Sequence, residues 1–200
     1  MKRTLLLAGA LIAIIAVASV FYNNYPKNDF TDSYKETQNQ QDNTADTNHT
    51  ENSQEPDSIP AMNFTVYTED GTAVKLSDFY GKPIVVNFWA TWCGPCKSEL
   101  PAFDTLSNEY KDEITFMMVN LTDGAQETVS GVKDFITKNN YTFPVYYDTE
   151  MNAAITYGVY SIPATLFIDA DGNIVASQLG AMSEDTLKNY IETLCNYSVE

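Results

Sequence analysis

The chain has 200 residues, enough for about one domain, and 44% of them are hydrophobic. Its 27 acidic residues outnumber its 11 basic ones, and this net charge of −16 argues against nucleic-acid binding, because phosphate contacts need clustered Lys and Arg. The single histidine excludes most histidine-rich metal sites, and three cysteines are too few for a disulfide scaffold.

Residues 1–22 begin with a basic pair and end in an apolar run of 18 residues. As a helix this run would cover about 27 Å, which is just enough to cross a bilayer core. Lys2 and Arg3 place the N-terminal end in the cytoplasm and the rest of the chain outside. The small residues of Ala16–Ala18 also fit a signal-peptide cleavage site, so a retained anchor and a cleaved signal are both open. Either alternative predicts that the bulk of the protein is exported.

Residues 23–60 are rich in Asn, Asp, Thr, Gln and Ser and have no apolar periodicity. They carry two lysines against eight acidic residues. Such a segment cannot bury enough apolar surface to offset the entropy of ordering it, so we predict a disordered acidic linker. The only histidine, His49, lies in this segment, and we interpret it as a solvated side chain rather than a ligand.

Residues 61–200 carry the apolar patterns of one folded domain. In chain order the predicted elements are a hairpin over Phe64–Lys75, a buried strand at Ile84–Trp89, a helix over Pro95–Tyr110, a buried strand at Ile114–Val119, a helix over Val129–Asn139, a hairpin over Thr165–Gln178 and a last helix that opens at Ser183. Strands and helices alternate first and a hairpin follows, which predicts a mixed α/β sheet.

A Cys-Gly-Pro-Cys motif, Cys93–Cys96, follows the first buried strand and opens the next helix. A thiolate is the nucleophile of disulfide exchange, and the amides and dipole of a helix N-terminus lower the pKa of the first cysteine. The spacing puts the second thiol within one helical turn, where it can resolve a mixed disulfide. The alternatives are a structural disulfide and half of a zinc site, but Cys195 and His49 cannot supply the missing zinc ligands. The motif therefore indicates redox chemistry.

At these residues the domain resembles the thioredoxin superfamily, and within it the TlpA/ResA-like extracytoplasmic branch. The resemblance is carried by Trp92–Cys96, by Ile162–Thr165, and by Ala90–Trp92 together with Glu99–Pro101; the long segment 120–150 fits an insertion of that branch. It implies a thioredoxin-like fold, with a central mixed β-sheet flanked by helices, an N-terminal β-hairpin and an inserted helix/strand segment.

The resemblance also assigns roles to individual residues. Cys93 is implied to be the exposed attacking thiol and Cys96 the buried resolving thiol of a redox-active disulfide. Ile162-Pro163 is implied to be a cis peptide bond that presents the Ile162 backbone to a substrate peptide. Trp89 is expected in the core. The residues expected to contact substrate are Trp92, Gly94, Pro95, Ile162 and Pro163.

Asn87 stands where cytoplasmic thioredoxin has a buried Asp that accepts protons, and an amide cannot titrate. Glu99, three residues after Cys96 on the same side of the helix, is a substitute, and the TlpA/ResA-like branch has a buried Glu at the matching position. We hypothesise that Glu99 has a raised pKa and exchanges protons with Cys96. The alternative is a solvent-facing helix residue.

The resemblance implies an extracytoplasmic thiol-disulfide oxidoreductase, and in particular a protein disulfide reductase. Such an enzyme needs no metal or organic cofactor. Its electrons would come from a membrane thiol donor of the CcdA type, and cytochrome c maturation is the task expected, although Gly94 departs from the acidic residue of some members of that branch. The alternatives are a disulfide-forming oxidase, a redoxin-type thiol peroxidase, which the absence of Arg from 61–200 disfavours, and a non-catalytic peptide-binding module.

Two further features receive structural interpretations. Cys195 leaves an odd cysteine, which we interpret as a buried small hydrophobic residue, with an intermolecular bridge or a regulatory thiol as alternatives. Asp169–Gly172 lacks the ligands of a calcium loop and is predicted to be a hairpin turn.

Overall fold

The computed structural model describes residues 59–197. The predicted membrane segment at 1–22 and residues 23–58 of the predicted linker lie outside this range. Between residues 59 and 197, no helix is long and apolar enough to span a membrane. The last two residues of the predicted linker, Ile59 and Pro60, form a short strand and so belong to the sheet.

The strands of the described range are β1 (Ile59–Pro60), β2 (Thr65–Tyr67), β3 (Ala73–Lys75), β4 (Ile84–Trp89), β5 (Thr115–Asn120), β6 (Val145–Tyr147), β7 (Ala164–Ile168) and β8 (Asn173–Leu179). They form one sheet in the spatial order β1-β8-β7-β4-β5-β6-β2-β3. The central strands β4, β5 and β6 are parallel, and the strands on both sides of them pair antiparallel. The sheet is therefore mixed, as the sequence predicts.

The helices are α1 (Gly94–Glu109), α2 (Val129–Asn139), α3 (Asn152–Thr156) and α4 (Glu184–Tyr197), with a 3₁₀ turn at Leu76–Phe79. Apolar side chains of α1, α2 and α4 form one core against the sheet. The 3₁₀ turn, β2 and α3 supply apolar side chains to a second core on the opposite face. The two cores account for the near-continuous apolar sequence of the central strands.

β4 carries the chain to the cysteine motif, and all six of its residues are buried. Val85 and Trp89 belong to the core that contains α1, whereas Val86 and Phe88 belong to the opposite core. Because side chains alternate along a strand, Asn87 shares a face with Val85 and Trp89. The only polar residue of β4 is thus directed towards α1.

Individual residues explain where two of the helices and one of the hairpins begin or end. Thr128 caps α2 by accepting a hydrogen bond from the Gly131 N–H at 3.2 Å, and Asn140 ends the helix in the left-handed conformation, with φ of 56°. Pro95 lies in the first turn of α1, where no amide hydrogen is required. The turn at Asp169–Gly172 is closed by a hydrogen bond from the Asp169 N–H to the Asn173 carbonyl, which confirms the predicted hairpin.

The expected thioredoxin-like architecture is confirmed. The two predicted hairpins are present, since β2 pairs with β3 and β7 with β8. The inserted segment contributes α2 and then β6, which adds to β5 in parallel. The insertion thereby brings the loop between β5 and α2 close to the end of β4.

Candidate active site

The cysteine motif lies where the central strand turns into α1. The turn is closed by a hydrogen bond from the Cys93 N–H to the Ala90 carbonyl at 3.2 Å. Cys93 is the N-cap of α1, with an extended backbone, and its Sγ accepts a hydrogen bond from the Cys96 N–H at 3.1 Å. The sulfur therefore occupies the position of a capping acceptor at the positive end of a helix, where a thiolate is stabilised.

Cys93 and Cys96 form a disulfide. The resemblance implies an exposed Cys93, but in this oxidised pair only 5% of the residue is exposed, compared with none of Cys96. The disulfide bond to Cys96 and the Ile162 carbonyl, 3.7 Å from the Cys93 sulfur, account for part of this cover, and Cys93 lines a groove. Cys93 remains the more accessible of the two, and it is the one that lines the groove.

The groove has a volume of about 430 Å³ and opens to solvent. Its rim includes Trp92, which is half exposed, and Tyr160, which is 99% exposed. The residues that line it are Trp92, Cys93, Gly94, Pro95, Leu121, Val159, Tyr160, Ser161 and Ile162. Four of the five residues expected to contact substrate line it, and the fifth, Pro163, is the next residue in the chain after Ile162. Trp89 is fully buried in the core, as expected.

The loop opposite the cysteines has the expected cis peptide bond between Ile162 and Pro163. The Ile162 carbonyl oxygen lies 3.7 Å from the Sγ of Cys93. The Pro163 carbonyl accepts a hydrogen bond at 2.8 Å from the N–H of Gly180, the residue after β8, while the Ile162 carbonyl faces the disulfide. The strand–turn–helix and this loop together form the walls of the groove.

Glu99 is buried, with 1% of its surface exposed, which excludes a solvent-facing position. Its Oε1 accepts a hydrogen bond from Asn87 Nδ2 at 2.9 Å, and its Oε2 accepts one from the Met182 N–H at 3.0 Å. Asn87 Nδ2 also donates to Thr165 Oγ1 at 3.0 Å. Burial raises the pKa of Glu99 above its ordinary value of 4.5, and the two hydrogen bonds oppose part of that shift.

A second buried carboxyl group adjoins the cysteine turn and is not predicted by the sequence analysis. Glu127, in the loop between β5 and α2, is 1% exposed. It accepts hydrogen bonds from Thr91 and Asn120. A loop glutamate has no periodic signal, and its partner Thr91 lies 36 positions away in the sequence. The only sequence signal for Glu127 is its place in segment 120–150, the insertion that the resemblance implies.

The third cysteine is separate from the disulfide. Cys195 is half-buried rather than fully buried as predicted, and its Sγ lies 4.0 Å from the Glu113 carboxylate. Burial and the charges of Glu113 and Glu192 raise the pKa of its thiol, which disfavours the reactive thiolate. Within residues 59–197, no group of three or more His, Cys, Asp or Glu side chains is arranged to hold a metal ion.

A disulfide at a helix N-terminus, facing a cis-proline loop at the same end of a mixed sheet, defines a thiol-disulfide oxidoreductase of the thioredoxin-like class. The chain belongs to the Redoxin family, whose model matches residues 54–194. It is 33% identical over 135 residues to the thiol-disulfide oxidoreductase ResA of Bacillus thuringiensis subsp. konkukian, a match that covers 67% of this chain and 76% of that protein.

Solved structures give the same result. StoA from Bacillus subtilis superposes with a TM-score of 0.57 at 30% identity, over 67% of this chain and 98% of StoA. The exposed lipoprotein thioredoxin Etrx1 from Streptococcus pneumoniae superposes with a TM-score of 0.57 at 31% identity, over 66% of this chain and 99% of Etrx1. The protein is therefore an enzyme that exchanges thiols and disulfides.

Proposed function

We propose that this protein is an extracytoplasmic reductase of disulfide-containing protein substrates, with Cys93 as the attacking thiol and Cys96 as the resolving thiol. The observation that carries the proposal is the position of Cys93, whose sulfur lies at the helix N-terminus and which lines a groove open to solvent. Cys96 is fully buried and cannot be reached by a large substrate.

The reaction has two exchange steps. The Cys93 thiolate attacks one sulfur of the substrate disulfide, so that a mixed disulfide forms and the other substrate sulfur leaves as a thiolate that takes up a proton. The Cys96 thiol then loses its proton and attacks the Cys93 sulfur, which releases the second substrate thiol. The substrate gains two electrons, and the enzyme is left with the Cys93–Cys96 disulfide.

Glu99 is proposed to exchange the proton of Cys96 during resolution. It lies three residues further along α1, so both side chains point from the same side of the helix. A carboxyl with a raised pKa holds and releases a proton closer to neutral pH than an ordinary glutamate does. Asn87 fixes the carboxyl from the neighbouring strand but cannot titrate itself.

Substrate would lie in the groove between the cysteine turn and the cis-proline loop. We assign substrate contacts to the exposed rings of Trp92 and Tyr160, to Gly94 and Pro95 beside Cys93, and to the Ile162–Pro163 backbone, where an extended peptide can add strand-like hydrogen bonds. Tyr160 is an addition to the residues expected from the sequence.

A location outside the cytoplasm, with residues 1–22 as an anchor or signal, is supported by the exposed lipoprotein among the similar structures. A reductase there needs reducing equivalents from the cytoplasm, and a membrane thiol donor of the CcdA type would supply them. Cytochrome c maturation is the proposed task. Gly94 does not exclude it on steric grounds, because a Cβ at this position would meet no atom within 4 Å.

The direction of electron flow is tested by the reduction potential of the Cys93–Cys96 couple. We would measure it in the full-length protein with Cys195→Ser, so that one couple remains, by equilibration against glutathione and dithiothreitol buffers. A value near or below about −250 mV, close to thioredoxin, is expected for a reductase. A value above about −180 mV would instead indicate a disulfide-forming oxidase.

The role of Glu99 is tested by Glu99→Gln, which keeps the shape of the side chain and removes the titrating proton. We expect the pH dependence of thiol reactivity at the site to change, since the proton acceptor for Cys96 is lost. An unchanged pH dependence in a folded Glu99→Gln protein would end the proposed role of Glu99 and leave that of the cysteines intact.

A further inference from the structure

The buried carboxyl of Glu127 makes three short hydrogen bonds, and two of them go to one residue of the cysteine turn. Its Oε1 accepts from the Thr91 N–H and from Asn120 Nδ2, each at 2.7 Å. Its Oε2 accepts from the Thr91 hydroxyl, also at 2.7 Å. Neither ion pair found in the described residues involves Glu127, so these hydrogen bonds compensate for its desolvation.

The donor and acceptor atoms of the cluster follow from the chemistry of each group. Asn120 is fully buried, and its Oδ1 accepts a hydrogen bond from the Thr122 hydroxyl at 2.7 Å. Oε1 of Glu127 also accepts from the Thr91 N–H, so the Asn120 atom that faces it is the donor Nδ2. Since a backbone N–H can only donate, Thr91 presents one fixed donor to Oε1 and a hydroxyl to Oε2.

The loop that carries Glu127 is itself held by local hydrogen bonds. The Asp123 carboxylate accepts from the Ala125 and Glu127 N–H groups, both at 2.8 Å, and the Glu127 carbonyl accepts from the Gly124 N–H at 2.9 Å. The next residue, Thr128, caps α2. Glu127 is thus fixed at both its backbone and its side chain.

Thr91 lies in the middle of the turn that sets the position of Cys93. The turn runs from Ala90, whose carbonyl accepts from the Cys93 N–H, and it is entered from Trp89, whose carbonyl accepts from the Leu121 N–H at 3.0 Å. We propose that Glu127 is a positioning residue for Cys93: its carboxyl clamps Thr91 and so holds the turn that presents the Cys93 sulfur at the N-terminus of α1. This inference rests on the proposed role of Cys93 as the attacking thiol.

The clamp acts through hydrogen bonds, which Glu127→Gln can test separately from charge. A glutamine oxygen at the Oε1 position can accept from the Thr91 N–H and from Asn120. Its amide nitrogen can donate to the Thr91 hydroxyl, because a hydroxyl also accepts. Glu127→Ala removes all three bonds.

The experiment measures how fast iodoacetamide alkylates Cys93, as a function of pH, in the full-length protein with Cys96→Ser and Cys195→Ser. Addition of Glu127→Ala is expected to slow alkylation about tenfold near neutral pH and to move the pH midpoint upwards, because the sulfur loses its fixed place at the helix end. Glu127→Gln is expected to stay within about twofold of the unsubstituted protein, because it keeps the bonding pattern.

A matched control is Asp104→Ala. The Asp104 carboxylate also holds a threonine, accepting from the Thr142 N–H at 2.6 Å and from its hydroxyl at 3.1 Å, but Thr142 lies outside the cysteine turn. Asp104→Ala is therefore expected to destabilise the fold and leave the alkylation profile unchanged. A purely structural role of Glu127 predicts the same behaviour for Glu127→Ala, and that outcome overturns the inference. Equal losses in Glu127→Gln and Glu127→Ala overturn it as well.

If Glu127→Ala does not fold, Thr91→Val tests the same clamp, because it removes the hydroxyl donor and keeps a β-branched side chain. We expect alkylation about threefold slower, since the backbone bond is retained. A rate equal to that of the unsubstituted protein overturns the inference. Failure of the proposed function is distinguishable, because it requires Cys93→Ser, with Cys96, Cys195 and Glu127 unchanged, to retain protein disulfide reduction.

Discussion

Two buried carboxyl groups adjoin the cysteine motif from different elements of the fold, and they differ in how fully their surroundings are hydrogen-bonded. Glu99, on α1, has one bond to each carboxyl oxygen, at 2.9 and 3.0 Å, and Oδ1 of its partner Asn87 has no hydrogen-bond partner among the described residues. Glu127, in the inserted loop, has three bonds at 2.7 Å, and its partner Asn120 is bonded through both side-chain atoms.

The difference separates a cluster suited to proton exchange from one suited to holding a shape. A buried acceptor without a partner destabilises a fold by about 1–3 kcal/mol, and a catalytic role is one of the reasons for which native proteins keep such atoms. The Asn87–Glu99 cluster has one, together with a carboxyl whose pKa is raised by burial. In the Glu127 cluster, both carboxyl oxygens and both side-chain atoms of Asn120 are hydrogen-bonded, which fits a role in positioning.

The largest expected effect comes from removing the attacking sulfur, which Glu127 is proposed to position and without which Cys96 has no mixed disulfide to resolve. Cys93→Ser in the full-length protein should reduce the rate of dithiothreitol-driven insulin reduction by at least about 10³-fold, because an alcohol is not a nucleophile in disulfide exchange. The turbidity of precipitating insulin chains measures this rate.

Cys195→Ser is the matched control, because it makes the same replacement at the half-buried thiol outside the groove. Its rate should equal that of the unsubstituted protein. If Cys93→Ser kept even a tenth of the activity, Cys93 would not be the attacking thiol, and the roles proposed for Glu127 and Glu99 would both lose their basis.

A smaller effect is expected in the pH dependence of stability. The contributions of Glu99 and of the loop that carries Glu127 should change with pH in opposite directions. The pKa of Glu99 is raised, so the folded state keeps a proton that the unfolded state loses above about pH 4.5, and the free energy of unfolding falls as pH rises through that window. Glu99→Gln should remove this fall, which for one proton is at most about 1.4 kcal/mol per pH unit. Urea unfolding between pH 3 and 8 measures it.

Asp123, which holds the Glu127 loop, is the comparison of opposite sign. Hydrogen bonds from the Glu127 and Ala125 N–H groups lower the pKa of Asp123 below its ordinary value of 3.8. Its contribution to stability is therefore present above that value and lost as pH falls through the lowered pKa. Asp123→Asn should remove a loss at acid pH, whereas Glu99→Gln removes a loss towards neutral pH. Changes of the same sign in both variants would contradict the comparison.

The parts of the fold that have strong patterns were predictable from the sequence. The strand Ile84–Trp89 and the helix Val129–Asn139 occur with the predicted bounds, because a buried β-branched run and an amphipathic period each have a clear signal. The cysteine motif and the place of Glu99 on the same side of the helix as Cys96 were likewise predictable, since Glu99 and Cys96 lie within one helical turn of each other. Local sequence patterns therefore predict one side of the site, the strand, turn and helix that carry the cysteines and Glu99.

The other side depends on contacts that are distant in sequence. The five-residue helix α3 and the three-residue strand β6 are too short to show a period, and their ends were not predicted. The bond between Thr91 and Glu127 exists only because the insertion returns the chain to the end of β4. Likewise, the groove beside Cys93 depends on Ile162, whose carbonyl oxygen lies 3.7 Å from the Cys93 sulfur although it is 69 positions away in the sequence.

The smallest expected effect on reactivity comes from Thr122→Val, which tests whether the Glu127 cluster acts on Cys93 only through Thr91. The Thr122 hydroxyl donates to Asn120 Oδ1 at 2.7 Å, and its loss leaves a buried acceptor unpaired, so unfolding should become easier by about 1–3 kcal/mol. Alkylation of Cys93 should change by less than about twofold, because Glu127 keeps both of its bonds to Thr91. A loss as large as that of Glu127→Ala would mean that the whole cluster acts on Cys93 as one unit. Asn120 and Thr122 would then belong to the clamp that Glu127 forms with Thr91.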